Sequence, residues 1–180
     1  FQQALQLYVE FNDRYEQAGT YHQLGRVAEE QRLWPQAEQY YQQALQLFVE
    51  FNDRYSQAGT YHNLGSVAQE LRLWPQAEQY YQQALQLYVE FNDRYSQAGT
   101  YHQLGIVAQE QRLWPQTREY FLRALETYVE YDDVYNGGIV LNSLARLWRD
   151  SKDANLPDAI AKILGVTPQE AEKMLRERLP

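Results

Sequence analysis

The chain has 180 residues, and its 24 acidic and 16 basic side chains give a formal net charge of -8. Hydrophobic residues make up 44% of the sequence and charged residues 22%, which is typical of a soluble, folded chain rather than a disordered one. The acidic balance argues against nucleic acid as a partner, because phosphates are bound by basic surfaces. The lack of cysteine excludes disulfides, thiolate metal sites and thiol catalysis.

Internal repetition is the main feature of the sequence. Trp34, Trp74 and Trp114 stand 40 residues apart, and residues 21–60 differ from residues 61–100 at only five positions. Self-similarity at such a period is typical of repeat proteins, in which each unit packs against the next. The copies diverge within the last unit, as expected at the end of a repeat array.

The period sets the domain boundaries that we expect. We predict a repeat array over residues 1–150, followed by a two-helix capping segment over residues 151–180. The array divides into a partial unit, three full units and a last first-type helix to about residue 150, with unit boundaries at 1–20, 21–60, 61–100 and 101–140. Residues 1–8 repeat residues 41–48, which lie inside a predicted helix, so we expect the sequence to be a fragment that begins in mid-repeat.

Each unit is predicted to contain two helices. Its apolar and small residues recur at intervals of three and four residues, which is the helical period. Pro75 fits the first turn of a helix, while Asn52 followed by Asp53 fits a left-handed helix end and the N-cap of the next helix. We therefore expect helices at about 54–72 and 75–91.

The need to bury these helices predicts the fold class. One pair cannot bury the apolar stripes of both helices, so the predicted fold is an all-α solenoid of stacked antiparallel helix pairs. Gly25, Gly65 and Gly105 lie inside helices, where glycine is unfavourable, so we expect paired helices to approach closely there. Tyr41 and Tyr55 fill apolar positions, and we interpret them as core residues rather than parts of a binding cage.

The C-terminal segment is predicted to form a short helical cap. Residues 158–164 indicate a helix ended by Gly165. Thr167 and Glu170 form a capping box that opens a further helix to about Arg178. Basic side chains give this segment a polar outer face, which suits the end of a solenoid.

A set of apolar and small positions in each unit matches a known repeat family. In the second unit these positions are Tyr61, Leu64 and Gly65 on the first helix and Ala77, Tyr81 and Ala84 on the second. On these residues the chain resembles the tetratricopeptide repeat family over residues 1–150. The resemblance implies a right-handed superhelix whose concave side binds extended peptides or partner segments.

The length of the unit indicates which form of the repeat the chain resembles. With 40 residues instead of the family's usual number of about 34, the unit resembles the kinesin-light-chain form of the repeat. It resembles still more the C-terminal sensor arrays of bacterial signal-transduction ATPases, the STAND proteins. No phosphate-binding Gly-x-x-x-x-Gly-Lys-Ser/Thr segment occurs in the sequence, so the resemblance implies an ATPase core outside it.

We predict no enzyme activity, no cofactor and no metal site. His22, His62 and His102 lie one repeat apart, which is on the order of 10–20 Å in a stack, whereas metal ligands lie about 2 Å from a shared ion. The Ser and Thr residues near them recur with the repeat, and no third group converges as nucleophilic catalysis requires.

Differences among the nearly identical units mark a candidate binding face. Three of the five differences between residues 21–60 and 61–100 lie on the side of the first helix that faces away from its apolar residues. Neutral drift would have changed the second-helix glutamines as well, so we predict that a partner binds this side. The predicted binding residues are His22, Gln23, Arg26, Glu29, Glu30, His62, Asn63, Ser66, Gln69, Glu70, His102, Gln103, Ile106, Gln109 and Glu110.

The charge of this face limits the kind of partner. Glu30, Glu70 and Glu110 recur along it, and Arg26 is the one cation that we count on it. A cationic or neutral polar protein or peptide is therefore favoured over an acidic one.

The leading hypothesis is a non-catalytic protein-interaction module that forms the sensor part of a larger bacterial signalling ATPase. The alternatives are a structural scaffold that self-associates end to end through its uncovered N-terminal helix, and a consensus-designed repeat protein. We expect a cytoplasmic location, because the sequence opens on Phe1 without a signal peptide and has no apolar run near the roughly 20 residues of a membrane span.

Overall fold

The forty-residue period takes the form of paired helices of 17 residues each. The computed structural model describes residues 1–11 and 13–179, and helix is the only regular secondary structure in those ranges. The all-α fold class predicted from the sequence is confirmed. In chain order the helices are α1 (Gln2–Glu10), α2 (Arg14–Glu30), α3 (Trp34–Glu50), α4 (Arg54–Glu70), α5 (Trp74–Glu90), α6 (Arg94–Glu110), α7 (Trp114–Glu130), α8 (Val134–Ser151), α9 (Leu156–Leu164) and α10 (Pro168–Glu177).

The turn from α3 to α4 follows the predicted pattern. Asn52 adopts a left-handed conformation with a φ of 53°, and the N–H of Asp53 donates to the carbonyl of Phe48 at 2.8 Å. The Asp53 carboxylate accepts the N–H of Ser56 at 3.0 Å, which caps the start of α4. Both predictions for this turn are confirmed, and a turn this short sets the two helices antiparallel.

The turn within a pair has the same geometry but carries an arginine. Arg72 has a φ of 58°, and the N–H of Leu73 donates to the carbonyl of Ala68 at 2.8 Å. The N–H of Arg72 donates to the carbonyl of Gln69 at 2.9 Å, so the two bonds together form a Schellman motif. This motif ends α4 at Glu70, slightly before the predicted end.

The chain divides into two units, Phe1–Asn92 and Asp93–Pro180. In the first unit α2 packs against α3, α3 against α4 and α4 against α5, while α2 also touches α4. In the second unit α6 packs against α7, α7 against α8 and α9, and α10 against α8 and α9, while α6 also touches α8. First helices therefore adjoin one another within each unit. The boundary at residue 151 between array and cap stays a prediction.

The helix pairs approach closely at their glycines, as predicted. A Cβ atom added to Gly65 would lie 2.6 Å from the Tyr81 ring, which is closer than real Cβ atoms come to such a neighbour. Tyr81 is completely buried, so its ring has no room to withdraw. The same contact recurs at the pairs Gly25–Tyr41 and Gly105–Phe121.

The C-terminal helices match the sequence prediction closely. Gly165 ends α9 in the left-handed conformation, with a φ of 67°. Thr167 and Glu170 form the predicted capping box at the start of α10. None of the described helices is long and apolar enough to cross a membrane.

Candidate partner-binding face

The predicted binding residues lie on first helices, and in each unit we call the surface that they form the first-helix face. In the first unit it comprises positions 22, 23, 26, 29 and 30 of α2 and positions 62, 63, 66, 69 and 70 of α4. In the second unit it comprises positions 102, 103, 106, 109 and 110 of α6. Arg26, Glu30, Glu70 and Glu110 are exposed, and the other eleven residues are half-buried.

Glu29 joins three helices of the first unit. One of its carboxylate oxygens accepts the hydroxyl of Tyr41 on α3 at 2.7 Å, and the other accepts the hydroxyl of Ser66 on α4 at 2.7 Å. Burial and this carboxylate raise the pKa of Tyr41 well above its usual value, so the phenol stays a hydrogen-bond donor. In the next repeat Gln69 takes the place of Glu29 and accepts the hydroxyl of Tyr81 at 3.2 Å.

His22 also forms a hydrogen bond to the following repeat. Its Nε2 lies 3.0 Å from the side-chain nitrogen of Asn63, which can only donate, so Nε2 accepts. Burial, and next the positive charge of Arg26, lower the pKa of His22. A neutral imidazole is the form that this hydrogen bond requires.

These bonds give part of the sequence variation a structural meaning. Asn63 and Ser66 stand at two of the positions that differ between the units, and each bonds to a residue of the preceding first helix. Glu29, at a third such position, is the partner of Ser66. Part of the variation on the first-helix face therefore serves contacts between repeats.

An apolar pocket of about 210 Å³ opens on the first-helix face of the first unit. Gly19 and Gly59 leave it free of side-chain bulk from α2 and α4. A Cβ atom added to Gly59 would meet only the Tyr88 hydroxyl, at 3.8 Å. The pocket is lined by Gly19, His22, Gln23, Phe48, Tyr55, Ser56, Gly59 and Tyr88.

The pocket corrects one interpretation of the tyrosines. Tyr41 is completely buried, as predicted, but Tyr55 is 51% exposed and was wrongly assigned to the core. Its ring lies in the first turn of α4 and packs edge-on against Phe91 at 5.4 Å. Helical spacing correctly placed Tyr55 on the apolar side of α4. It did not show that the neighbouring helix leaves the first turn of α4 uncovered.

The second unit has a related network that includes residues missed by the sequence analysis. His102 Nε2 lies 3.0 Å from the Ser143 hydroxyl, which also accepts a hydrogen bond from Arg146 at 3.0 Å. Burial, and next the charge of Arg146, lower the pKa of His102 to about 4. Ser143 and Arg146 stand 40 residues after Gln103 and Ile106, so extending the repeat by one further unit would have identified them.

Arg146 also corrects the charge argument. The sequence analysis counted only Arg26 as a cation on the first-helix face, but exposed Arg146 holds the equivalent position on α8. The preference against an acidic partner therefore follows from the charges of the first unit alone. Ile106, which was also predicted to bind a partner, packs against the core of the second unit.

Two further predicted residues of the second unit border a polar recess. Gln109 and Glu110 line an open pocket of about 680 Å³ together with Arg149 and Asp150 of α8. Arg149 is bound to the adjacent Asp150 at 2.7 Å, so its charge is compensated locally. Within residues 1–11 and 13–179, no His, Asp and Glu side chains form a group of three that could hold a metal ion.

Comparisons with solved structures identify the fold. The crystal structure of BtubC (BKLC) from P. vanneervenii has a TM-score of 0.71 at 17% identity, over 91% of this chain and 66% of that chain. The apo form of RapI has a TM-score of 0.74 at 16% identity, over 88% of this chain and 58% of that chain. The chain thus spans just under two thirds of the first and 58% of the second.

A third structure has repeats of the same kind. The nearly identical repeats of a putative kinesin light chain from Podospora anserina have a TM-score of 0.66 at 14% identity, over 90% of this chain and 74% of that chain. At such identities the likeness shows the fold alone. No curated protein matches the sequence.

The sequence itself also matches a family model. The model of the tetratricopeptide repeat matches residues 16–90 and 56–111, which together cover more than half of the chain. Repeats of this family form modules for protein–protein interaction, and their fold is generally a non-catalytic scaffold. The chain belongs to the tetratricopeptide repeat family, as its residue pattern predicted.

Proposed function

We propose that the protein binds a partner protein or peptide on the first-helix face, which by family resemblance is the concave side of the helix stack. The observation that carries the proposal is the apolar pocket between α2 and α4. Aromatic rings line it, and it lies on the same face as exposed Arg26. An apolar anchor beside polar groups is the usual composition of a peptide-binding site.

The pocket and its surroundings define the partner's chemistry. An apolar or aromatic side chain suits the rings of Phe48, Tyr55 and Tyr88. Glu30 and Glu70 are exposed on the first-helix face of the first unit, where Arg26 is the exposed guanidinium among the predicted binding residues. We therefore propose a neutral polar or cationic segment with one apolar anchor.

We further propose that this module is the sensor part of a larger bacterial signalling ATPase in the cytoplasm. The support for this role is the resemblance of its long, nearly identical repeats to the sensor arrays of STAND proteins. Binding of a partner to the repeats would then control an ATPase core in the same polypeptide.

Filling the pocket tests the proposed site. Ile139 stands in the second unit where Gly59 stands in the first, so Gly59→Ile introduces a residue that the repeat already tolerates. Proteins captured from a bacterial lysate by the unaltered protein would be identified, and the purified partner would be titrated against each variant. We expect Gly59→Ile to weaken binding by about tenfold, because the anchor loses its place.

Gln86→Ile provides the matched control, since it adds the same side chain at an exposed position of the second helix α5. It should leave the affinity unchanged. Equal affinity of the Gly59→Ile variant and the unaltered protein would show that the partner binds elsewhere.

The self-associating scaffold makes a different prediction. A scaffold would increase in mass with concentration in sedimentation experiments, without any added partner. A protein that stays monomeric at high concentration would contradict the scaffold and leave the interaction module as the better explanation.

A further inference from the structure

The start of α8 differs from the start of every other first helix. Elsewhere an arginine at this position pairs with the glutamate that ends the second helix of the same pair; the pairs are Arg14–Glu50, Arg54–Glu90 and Arg94–Glu130. In α8 the position is taken by Val134, which is 86% exposed, and Tyr135 beside it is 78% exposed. An ion-pairing surface has thus become an apolar one.

Two adjacent glycines follow in the next turn of α8. A Cβ atom added to Gly138 would meet nothing within 4 Å, and one added to Gly137 would come no closer than 3.9 Å to Tyr128. Unlike Gly65, these glycines are not required by a ring pressed against the backbone. Each costs up to about 1 kcal/mol of helix stability relative to alanine, and among the described residues no close approach to their backbone compensates for it.

The other repeats show what normally covers this position. The equivalents of Gly138 are Ala18, Ala58 and Ala98, and all three are completely buried. Ala58 is covered by a turn of α5, in which a small residue is followed three and four residues later by leucine and an aromatic residue. That turn consists of Ala84, Leu87 and Tyr88.

In the last pair the covering helix is too short. Helix α9 has nine residues where α5 has 17, and it contacts α7, while α10 contacts α8. An apolar groove of about 300 Å³ remains beside Gly137 and Gly138. Its apolar lining includes Leu125, Val129, Val134, Leu141, Leu164 and Met174.

The charged residues around the groove favour a cation. In the other repeats the covering helix ends in a glutamate that meets an arginine, whereas here Val134 offers no cation. Asp132, which replaces the usual asparagine, adds a carboxylate that has no side-chain partner within residues 1–11 and 13–179. The groove is thus lined by the two carboxylates of Asp132 and Asp133 and by the single guanidinium of Arg178, which leaves an excess of negative charge among its described lining residues.

We propose that this groove binds an amphipathic helix of a partner protein. The helix presents a small residue followed three and four residues later by leucine and an aromatic residue, and it ends in lysine or arginine near Asp132. A terminal cation also interacts favourably with the dipole at the C-terminus of such a helix. The groove is separate from the first-helix face and does not depend on the function proposed for that face.

The chain's own α5 sequence supplies the probe. A labelled peptide of Trp74–Glu90 and its Glu90→Lys form would be titrated by fluorescence anisotropy against the full protein. We expect the lysine form to bind about three- to tenfold more tightly. The protein variant Asp132→Asn should remove this preference, and it changes an exposed side chain only.

Filling the groove is the second arm of the experiment. Gly138→Leu should weaken the lysine peptide by at least about tenfold, because its side chain occupies the place of the partner's apolar residues. Gly138→Ala should keep the affinity, since alanine stands at this position beneath a covering helix in the other repeats. Gly59→Ile should have no effect on this peptide, which separates the groove from the first-helix face.

Three results would overturn the proposal. The peptide could fail to bind, or it could bind equally to the unaltered protein and to the Gly138→Leu variant. The third result is a dimer that forms with rising concentration and is broken by Gly138→Leu, since it would place a second copy of the chain in the groove.

Discussion

Gly65 illustrates how one residue without a side chain fixes the distance between two helices. Helix propensity alone favours alanine at this position by up to about 1 kcal/mol. The Tyr81 ring, however, lies where a Cβ atom would have to stand, and Tyr81 is completely buried. Packing therefore outweighs helix propensity, so alanine at position 65 is expected to destabilise the protein rather than stabilise it.

We expect Gly65→Ala to lower the free energy of unfolding by about 1–3 kcal/mol, because the ring and the helix must separate. Urea unfolding followed by circular dichroism measures this change. Gly19→Ala is the control, since nothing lies within 4 Å of its added Cβ atom, and it should raise stability by about 0.5–1 kcal/mol. A stabilising Gly65→Ala would contradict the close approach.

His102 gives the protein a pH dependence whose direction is set by its surroundings. Burial and Arg146 lower its pKa from 6.5 to about 4, so folding favours the neutral ring. The stabilisation is fully present above pH 6.5 and is lost as the pH falls towards 4. It amounts to about 3 kcal/mol at most.

We expect His102→Gln to lose less stability than the unaltered protein between pH 7 and pH 4, because glutamine does not titrate in that range. Chemical denaturation at a series of pH values measures both proteins under the same conditions, so the titration of carboxylates cancels in the comparison. Parallel stability curves would show that His102 is not the group responsible.

At the scale of elements, a turn could be predicted only where the residue type itself favours the backbone conformation that the turn requires. Asn52 favours the left-handed conformation, so its turn could be read from the sequence. Arg72 does not favour it, yet it has a φ of 58°. Its conformation is imposed by the Schellman hydrogen bonds and by the packing of α4 against α5.

The strain at Arg72 can be relieved. We expect Arg72→Gly to stabilise the protein by about 0.5–1 kcal/mol, because glycine adopts positive φ freely and this gain exceeds the added entropy of the unfolded chain. Thermal unfolding measures it. Arg54→Gly, inside the first turn of α4, should instead destabilise, since it removes the ion pair with Glu90 and a good helix former.

At the scale of the whole molecule, the contacts that we describe join helices that are adjacent or next but one along the chain. Stability in such an array is a sum of terms between adjacent repeats, so the effects of a local change should decay with distance along the sequence. We expect Gly65→Ala to increase hydrogen exchange of amides in α4 and α5 more than in α9 and α10. Equal increases in all four helices would indicate that the chain unfolds as one cooperative unit.

The sequence by itself determined the period, the helix pairs, the Asn52 turn, the close approach at the glycines and the C-terminal capping box. Each of these depends on residues within one helix or one pair, where the helical period and the residue type specify the geometry. The candidate face was proposed from the sequence, because variation at three-residue spacing marks one side of a helix, and its role in binding stays a prediction.

Only the tertiary structure decided which side chains of different repeats meet. The bond between Glu29 and Ser66, the exposure of Tyr55 and the open groove at Gly138 depend on a neighbouring helix, on its length and on where it ends. Hydrophobic periodicity shows which side of a helix is buried, but it does not show how far the covering helix extends. The physical reason is that burial is a property of two surfaces in contact, and a local pattern describes one of them.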